Sequence, residues 1–259
     1  MAILNKVGEI FGSLIFSLSL GFLIVFIALA NFTQYNTLQP LVANMVETQL
    51  TGSIQQNQLD FIYLNLTEQC KSSTTAIVPI GDNNQINLKC DEVKNSTSSA
   101  LPHLVANGVF DQIYYKKYEC SFIECLRNMS LTVGSNVEQN QNFQIFLSAK
   151  ANAFFTQNQI FLIGGIVAGI VLIIVSVRVW YNILKNIGMT LLLVGIVYLF
   201  IPLIKSKVPN IAEIQNTSQF IDILFAPIAS FLRISLILGV ILTASGYIVA
   251  YLMKKPKEK

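Results

Sequence analysis

Charged residues are scarce in this chain of 259 residues. Asp, Glu, Lys and Arg make up 12% of the sequence, about half of the share that is typical of soluble domains, whereas hydrophobic residues make up 53%. Histidine occurs once, as His103, far in sequence from any pair of cysteines. These absences exclude an ordinary soluble domain and argue against a zinc site. The sequence carries no catalytic signature, no nucleotide-binding motif and no charge pattern that indicates a nucleic-acid partner, so we expect neither enzymatic activity nor a cofactor.

Four long apolar runs account for the hydrophobic composition. Residues 159–178 and 187–204 flank a short basic turn, residues 179–186, and form a predicted transmembrane hairpin. About 18 apolar residues are the minimum that crosses roughly 30 Å of hydrocarbon as a helix. Residues 11–30 and 234–253 are two further predicted spans. The fold class that follows is an all-α membrane protein with four transmembrane helices.

The first apolar run has an alternative interpretation as a cleaved signal peptide. Ala28-Leu29-Ala30 precedes Asn31 and has the small-x-small form of a cleavage site. The run is longer than the 7 to 15 residues of a usual signal-peptide core, however, so we favour a retained helix. Residues 1–10 then form a short N-terminal segment on the cytoplasmic side.

Residues 31–158 are the one polar segment that is long enough to form a folded domain. Apolar residues from Leu38 to Leu50 follow helical spacing, with Thr37 and Pro40 suited to the start of a helix. Residues 76–80 and 85–90 flank the turn Gly81-Asp82-Asn83-Asn84 and alternate as strands do, which predicts a β-hairpin. We therefore expect a mostly helical domain with a minor β-hairpin, inserted between transmembrane helices 1 and 2.

The later part of this segment also has helical spacing. Residues 98–127 predict helix with a break at Asn107-Gly108, because this pair favours turns. An aromatic stripe from Phe143 to Phe155 is expected to run straight into the second span. Residues 205–233 contain two prolines and predict an outer loop with an interfacial segment, and residues 254–259 form a basic tail.

The distribution of basic residues predicts the orientation in the membrane. With both termini and the turn in the cytoplasm, seven Lys or Arg residues lie inside and three lie in the short outer loop. This arrangement predicts a multi-pass protein of the cell membrane with residues 31–158 outside. All five Asn-x-Ser/Thr sequons then become candidate N-glycosylation sites: Asn31, Asn65, Asn95, Asn128 and Asn216.

All four cysteines, Cys70, Cys90, Cys120 and Cys125, lie in the predicted outer segment, as expected for disulfides on the oxidising side of a membrane. Five residues of helix rise about 7.5 Å, beyond the Cα separation of about 7 Å that a disulfide tolerates. If residues 120–125 are helical, each of these two cysteines must therefore pair with Cys70 or Cys90. If the helix ends before Cys125, the pairs are Cys70 with Cys90 and Cys120 with Cys125. Structural disulfides are favoured over a redox centre because no Cys-x-x-Cys is present.

Small residues recur at every fourth position in three of the four spans. This spacing is typical of helices that approach closely, either within one bundle or against another subunit. The residues are Ser13, Ser17 and Gly21 in the first span, Gly165 and Gly169 in the second, and Ser235, Gly239 and Thr243 in the fourth. The spans as defined above contain no ionisable residue beyond Arg178 at the inner end of the second, which argues against an ion-coupled transporter.

The order of helices and loops is similar to that of the claudin and tetraspan superfamily. The only tryptophan, Trp180, lies in the inner turn, whereas claudins carry a tryptophan motif in the first outer loop. The segment 205–233 also lacks the Cys-Cys-Gly motif of tetraspanins. The resemblance is therefore one of topology, and we expect no membership in either family.

These observations predict a non-enzymatic surface protein in contact with membrane lipid. Its disulfide-bonded, N-glycosylated outer domain is expected to mediate protein–protein interaction, as a homo-oligomer, in adhesion, or as an accessory subunit of another membrane protein. An alternative is an oligomeric channel, because four helices without a polar lining cannot conduct alone. A membrane thiol oxidoreductase is the third and least favoured hypothesis.

Overall fold

The structure, a computed structural model, describes residues 2–80, 84–131, 144–177, 179–203 and 217–254. The chain divides into two compact units. The first, which we call the helical unit, consists of Met1–Asn31 and Phe154–Lys259. The second, the inserted domain, is Phe32–Ala153.

Four long helices form the described part of the helical unit, and two of them extend a few residues into the inserted domain. They are α1 (Ala2–Phe32), α7 (Ala149–Ser176), α8 (Trp180–Ile196, continued by a 3-10 turn over Val197–Phe200) and α9 (Thr217–Lys254). Each is long and apolar enough to cross a membrane, over Lys6–Phe32, Ala149–Ser176, Trp180–Leu203 and Asp222–Met253. The prediction of four such helices is confirmed.

The fourth helix begins much earlier than the sequence indicated. Residues 217–233, which we expected to form part of a separate interfacial segment, are instead the first turns of α9. Pro227 lies inside this helix and cannot donate a hydrogen bond to the carbonyl group of Ile223, four residues earlier. Helices that cross membranes tolerate such an interruption because neighbouring groups satisfy the freed carbonyl. Residues 204–216 lie outside the described residues.

Glycines hold α1 and α7 close together along the helical unit. A Cβ atom added to Gly169 of α7 would lie 2.7 Å from the backbone nitrogen of Phe16 and 2.9 Å from the carbonyl oxygen of Gly12. Phe16 also packs with Ile173 in an apolar cluster that includes partly buried side chains of α8. The backbones of α1 and α7 therefore touch at Gly169, where no side chain would fit.

The pair α8 and α9 packs in the same way. A Cβ atom added to Gly239 would lie 2.5 Å from the backbone nitrogen of Leu192, and one added to Gly188 would lie 2.5 Å from the backbone nitrogen of Thr243. Gly195 makes a similar approach to Leu236. Two helix pairs in the helical unit thus share one packing principle, in which small residues allow main chains to approach.

The inserted domain is mostly helical. Its helices are α2 (Tyr35–Ser53), α3 (Gln56–Ser72), α4 (Cys90–Lys94), α5 (Leu101–Tyr114) and α6 (Phe122–Leu131), with 3-10 turns at Ser98–Ala100 and Ile145–Leu147. The helix that leads into the second apolar span starts at Ala149, after the second 3-10 turn. Phe143 of the expected aromatic stripe lies outside the described residues.

A two-stranded antiparallel sheet completes the domain, as predicted. Strands β1 (Thr75–Ile80) and β2 (Asn84–Lys89) pair with Val78 opposite Ile86. Alternate side chains of both strands, Ala76, Val78, Ile86 and Leu88, join a buried cluster with residues of α3, α4 and α5. The period of two in the sequence therefore marks the face of the sheet that is buried.

The break that we expected at Asn107-Gly108 does not exist, because α5 is continuous from Leu101 to Tyr114. A Cβ atom added to Gly108 would lie 2.6 Å from Cγ2 of Ile86 and 3.0 Å from Cδ2 of Leu88. The glycine thus serves the close approach of α5 to β2. Pro40, expected near the start of a helix, lies inside α2, which begins at Tyr35.

Candidate interaction surfaces

Two disulfides cross-link the inserted domain, and they form the second of the two pairings that the sequence left open. Cys70 at the end of α3 pairs with Cys90 at the start of α4, with 5.2 Å between their Cα atoms. Cys120 pairs with Cys125, with a Cα separation of 5.5 Å. The second pair is possible because α6 begins only at Phe122, between the two cysteines.

A capping box starts α6 inside this small disulfide loop. The backbone nitrogen of Ser121 donates a hydrogen bond to Glu124 Oε2 (2.8 Å), and the backbone nitrogen of Glu124 donates one to Ser121 Oγ (3.3 Å). The sequence Ser-x-x-Glu is a recognisable signal for a helix start. Reading it would have placed Cys120 before the helix and would have chosen between the two pairings.

The capping box makes the stability of this segment depend on pH. The hydrogen bonds from Ser121 hold the pKa of Glu124 below its ordinary value of 4.5. A lowered pKa in the folded state contributes stability that is present above the ordinary pKa and is lost as pH falls through the lowered value. We expect Glu124→Gln, which keeps the hydrogen-bonding shape, to reduce the loss of domain stability as the pH falls below 4.5, the ordinary pKa of a glutamate. Chemical denaturation at a series of pH values measures this, with Glu119→Gln as the control. An acid dependence unchanged by Glu124→Gln would contradict the assignment.

A polar network lies where the chain enters and leaves the inserted domain. The hydroxyl of Tyr114 donates to the carbonyl oxygen of Thr33 (3.2 Å), and Asn152 Nδ2 donates to Thr33 Oγ1 (3.2 Å). Nearby, the Tyr35 hydroxyl donates to Asp111 Oδ1 at 2.6 Å. Burial, helped by this hydrogen bond, raises the pKa of Tyr35 far above its usual value. The network ties the first residues of the domain to the first turn of α7.

Helix α3 presents two large apolar side chains to solvent. Phe61 and Leu64 are each 66% exposed, and they lie one turn apart on the same side of the helix. Their neighbours toward the end of α3 include an exposed ion pair between Glu68 and Lys71 (2.5 Å). The opposite side of α3 is buried through Leu59, Leu66 and Cys70. We call the exposed pair Phe61 and Leu64 the α3 face.

A groove lies between α3 and β1. Its volume is about 730 Å³, and its walls mix apolar side chains such as Ile62 and Ile77 with polar ones such as Asn65 and Glu68. The side chain of Gln69 crosses it, because Gln69 Oε1 accepts a hydrogen bond from the backbone nitrogen of Ile77 (2.9 Å). One N–H group on the outer edge of the two-stranded sheet is thereby satisfied by a side chain.

A second groove, of about 560 Å³, lies in the helical unit between α1, α8 and α9 and is almost entirely apolar. The predicted stripe Ser13, Ser17 and Gly21 lines it together with residues such as Thr190 and Leu232. Among the described residues outside its own stretch of α1, none has an atom within 4 Å of a Cβ atom added to Gly21. Gly12 and Phe16 of α1, by contrast, approach the backbone of α7.

Of the other predicted small residues, Gly165 faces Ser19 of α1, where an added Cβ atom would overlap the serine hydroxyl. Gly239 and Thr243 lie in the contact between α8 and α9. Ser235 of α9 is buried.

One carboxylate lies within the apolar part of α1. Asn186 Nδ2 of α8 donates a hydrogen bond to Glu9 Oε1 at 2.5 Å. Glu9 lies within the candidate membrane span Lys6–Phe32, two residues before Phe11, where we expected the first span to begin. The hydrogen bond gives the partly buried Glu9 a donor, which offsets part of the cost of removing a carboxylate from water.

The five sequons differ in their location in the structure and in the exposure of their side chains. Asn65 on α3 and Asn95 after α4 have exposed side chains. Asn31 lies near the end of the apolar part of α1, and its sequon threonine, Thr33, is buried. The backbone of Asn128 belongs to α6, and Asn216 lies outside the described residues.

Within residues 2–80, 84–131, 144–177, 179–203 and 217–254, no group of three or more His, Cys, Asp or Glu side chains is arranged to hold a metal ion. Comparisons of the chain with protein-family models, with curated proteins and with solved structures found no match. The structure is compatible with a multi-pass membrane protein that carries a disulfide-bonded inserted domain.

Proposed function

We propose that this protein is a surface membrane protein whose inserted domain binds another protein through the α3 face. The observation that carries the proposal is the exposure of Phe61 and Leu64 on a domain that buries its other apolar clusters and is cross-linked by two disulfides. Clustered aromatic and aliphatic side chains of this kind are the residues that contribute most to binding when a partner covers them.

The proposal places the inserted domain on the outer side of the cell membrane, with both termini in the cytoplasm. Three properties of the chain support this orientation. The short inner segments are rich in lysine and arginine, the cysteines are all in the inserted domain, and the sequons at Asn65 and Asn95 are exposed there. The partner is a second copy of the chain or another membrane protein for which this chain is an accessory subunit.

The decisive experiment is gentle extraction of the full chain from its native membrane, followed by determination of the mass and composition of the complex. A complex of defined stoichiometry supports the proposal. A foreign protein in it identifies an accessory role, whereas a closed homo-oligomer identifies self-association. A protein that is monomeric in every mild detergent contradicts the proposal.

The double substitution Phe61→Ser and Leu64→Ser is expected to weaken that complex at least tenfold, because it removes two apolar anchors from the contact. Crosslinking in the membrane before extraction measures the bound fraction. Ile123→Ser is the matched control, since Ile123 on α6 is also an exposed apolar side chain (53%) but lies outside the α3 face. Equal loss in the control and the double variant would show that general surface hydrophobicity, and not the α3 face, holds the complex.

A further inference from the structure

The groove between α3 and β1 has a modifiable residue in its wall. Asn65 lines the groove and begins the sequon Asn65-Leu66-Thr67, and its side chain is exposed. It lies three residues after Ile62 and four before Gln69, so these three side chains share one side of α3. A group attached to the Asn65 amide would therefore start at the mouth of the groove, beside the Gln69 side chain that crosses it.

The walls of the groove match the chemistry of a sugar. Ile62, Ile77 and Pro79 provide apolar contact, while Glu68 and Ser72 provide hydrogen-bonding groups. An N-acetylglucosamine ring has C–H faces and an acetyl methyl group that suit the first kind of wall, and hydroxyl groups that suit the second. The volume of about 730 Å³ lies within the range of sites that hold small molecules.

The other sequons lack this combination. Asn95 is exposed at the end of α4, but it does not line the groove. Asn31 lies near the end of the candidate membrane span Lys6–Phe32, and it does not line the groove. Among the sequons whose side chains are described, Asn65 alone therefore joins an exposed amide to a cavity of suitable lining.

We propose that Asn65 carries an N-linked glycan and that its first N-acetylglucosamine occupies the groove between α3 and β1. The inference rests on the outer placement of the inserted domain in the proposed function. In the modification, the Asn65 amide nitrogen bonds to C1 of a sugar supplied as a lipid-linked oligosaccharide pyrophosphate. The bond between C1 and the pyrophosphate oxygen breaks, the lipid pyrophosphate leaves, and the amide gives up one proton.

A glycan held in this way leaves the α3 face available. Phe61 and Leu64 lie on the exposed side of the helix, whereas Ile62, Leu66 and Gln69 line the groove. Asn65 lies between the two sides, so the direction of its glycan determines whether the α3 face is covered. Seating of the first sugar in the groove directs the rest of the glycan away from the contact surface.

The test uses the full chain produced in eukaryotic cells. Peptide mass spectrometry is expected to find a glycan on Asn65, and Asn65→Gln is expected to remove that mass. Trimming of the glycan to a single N-acetylglucosamine is expected to leave the melting temperature of the inserted domain unchanged, whereas Asn65→Gln lowers it by roughly 2–4 °C. Asn95→Gln is the control and is expected to leave the melting temperature unchanged.

Ile77→Ser probes the groove without altering the sequon. Ile77 is 44% exposed, so the substitution is compatible with folding. It is expected to retain the glycan and to abolish the difference in melting temperature between the glycosylated protein and Asn65→Gln. A glycan on Asn65 that gives no such difference in the original chain would overturn the placement in the groove.

The failure of this inference can be separated from a failure of the proposed function. A membrane-impermeant amine reagent applied to intact cells reports whether Lys71 and Lys89 of the inserted domain face outward. Labelling of these lysines together with an unmodified Asn65 overturns the glycan proposal alone. Absence of labelling, with labelling restored after permeabilisation, overturns the outer placement and the glycan proposal with it.

Discussion

Substitution of Gly169 by valine is expected to separate α1 from α7 and to destabilise the helical unit by about 3 kcal/mol, the upper end of the usual cost of overpacking. The first added carbon would already lie 2.7 Å from the backbone nitrogen of Phe16 and 2.9 Å from the Gly12 carbonyl oxygen. Backbone atoms cannot rotate away as a side chain can, so the helices must move apart. In a membrane their association depends on this close packing because lipid provides no hydrophobic driving force between helices.

Gly164 provides a matched control on the same helix. In the part of the chain that the structure describes, nothing beyond the surrounding turns of α7 lies within 4 Å of a Cβ atom added there, so Gly164→Val is expected to be neutral. Thermal aggregation of the purified protein in mild detergent compares the two variants with the original chain. If Gly169→Val and Gly164→Val melt at the same temperature, the contact between α1 and α7 is not as close as described.

Replacement of Cys70 and Cys90 together by serine is expected to cost the inserted domain about 3 kcal/mol, a large share of the roughly 5–15 kcal/mol that stabilises a folded domain. The two cysteines are 20 residues apart, and the disulfide restricts the unfolded chain over that length. Both sulfur atoms also belong to the main buried cluster of the domain, so the serines would bring two hydroxyl groups into apolar surroundings.

The second disulfide provides the comparison. Cys120 and Cys125 are five residues apart, so the shorter loop gives a smaller stabilisation, about 2 kcal/mol. Limited proteolysis of the full chain in increasing urea measures the stability of the inserted domain in each double variant. We expect protection to be lost at lower urea in the Cys70 and Cys90 variant. The reverse order would contradict the assignment of the Cys70–Cys90 pair to the core.

Much of the fold could be read from patterns along the chain. The four apolar helices and the β-hairpin were predicted because uncharged length and alternation are local properties of a sequence. Helix α3 was missed, although Leu59, Ile62, Leu66 and Cys70 have helical spacing and the first, third and fourth of them are buried. Most residues of α3 are polar, and its apolar side has only about one residue per helical turn, so its helical pattern was not recognised.

Local signals failed where the neighbouring element determined the outcome. Asn107-Gly108 is a turn-forming pair, but it lies within α5 because β2 requires a residue without a side chain at Gly108. Pro227 predicted a break, but the helix continues through it. At Gly108, packing against β2 overrides a residue preference that is worth only about 1 kcal/mol.

The sequence by itself determined three features: the number of apolar helices, the position of the polar domain between the first two of them, and which face of the β-sheet is buried. Each of these features follows from the periodicity or the length of a short stretch of sequence. Only the tertiary structure decided which glycines touch another backbone and that Asn65 borders a groove. These depend on residues far apart in sequence, such as Gly169 with Phe16 and Asn65 with Ile77, whose proximity no local pattern encodes.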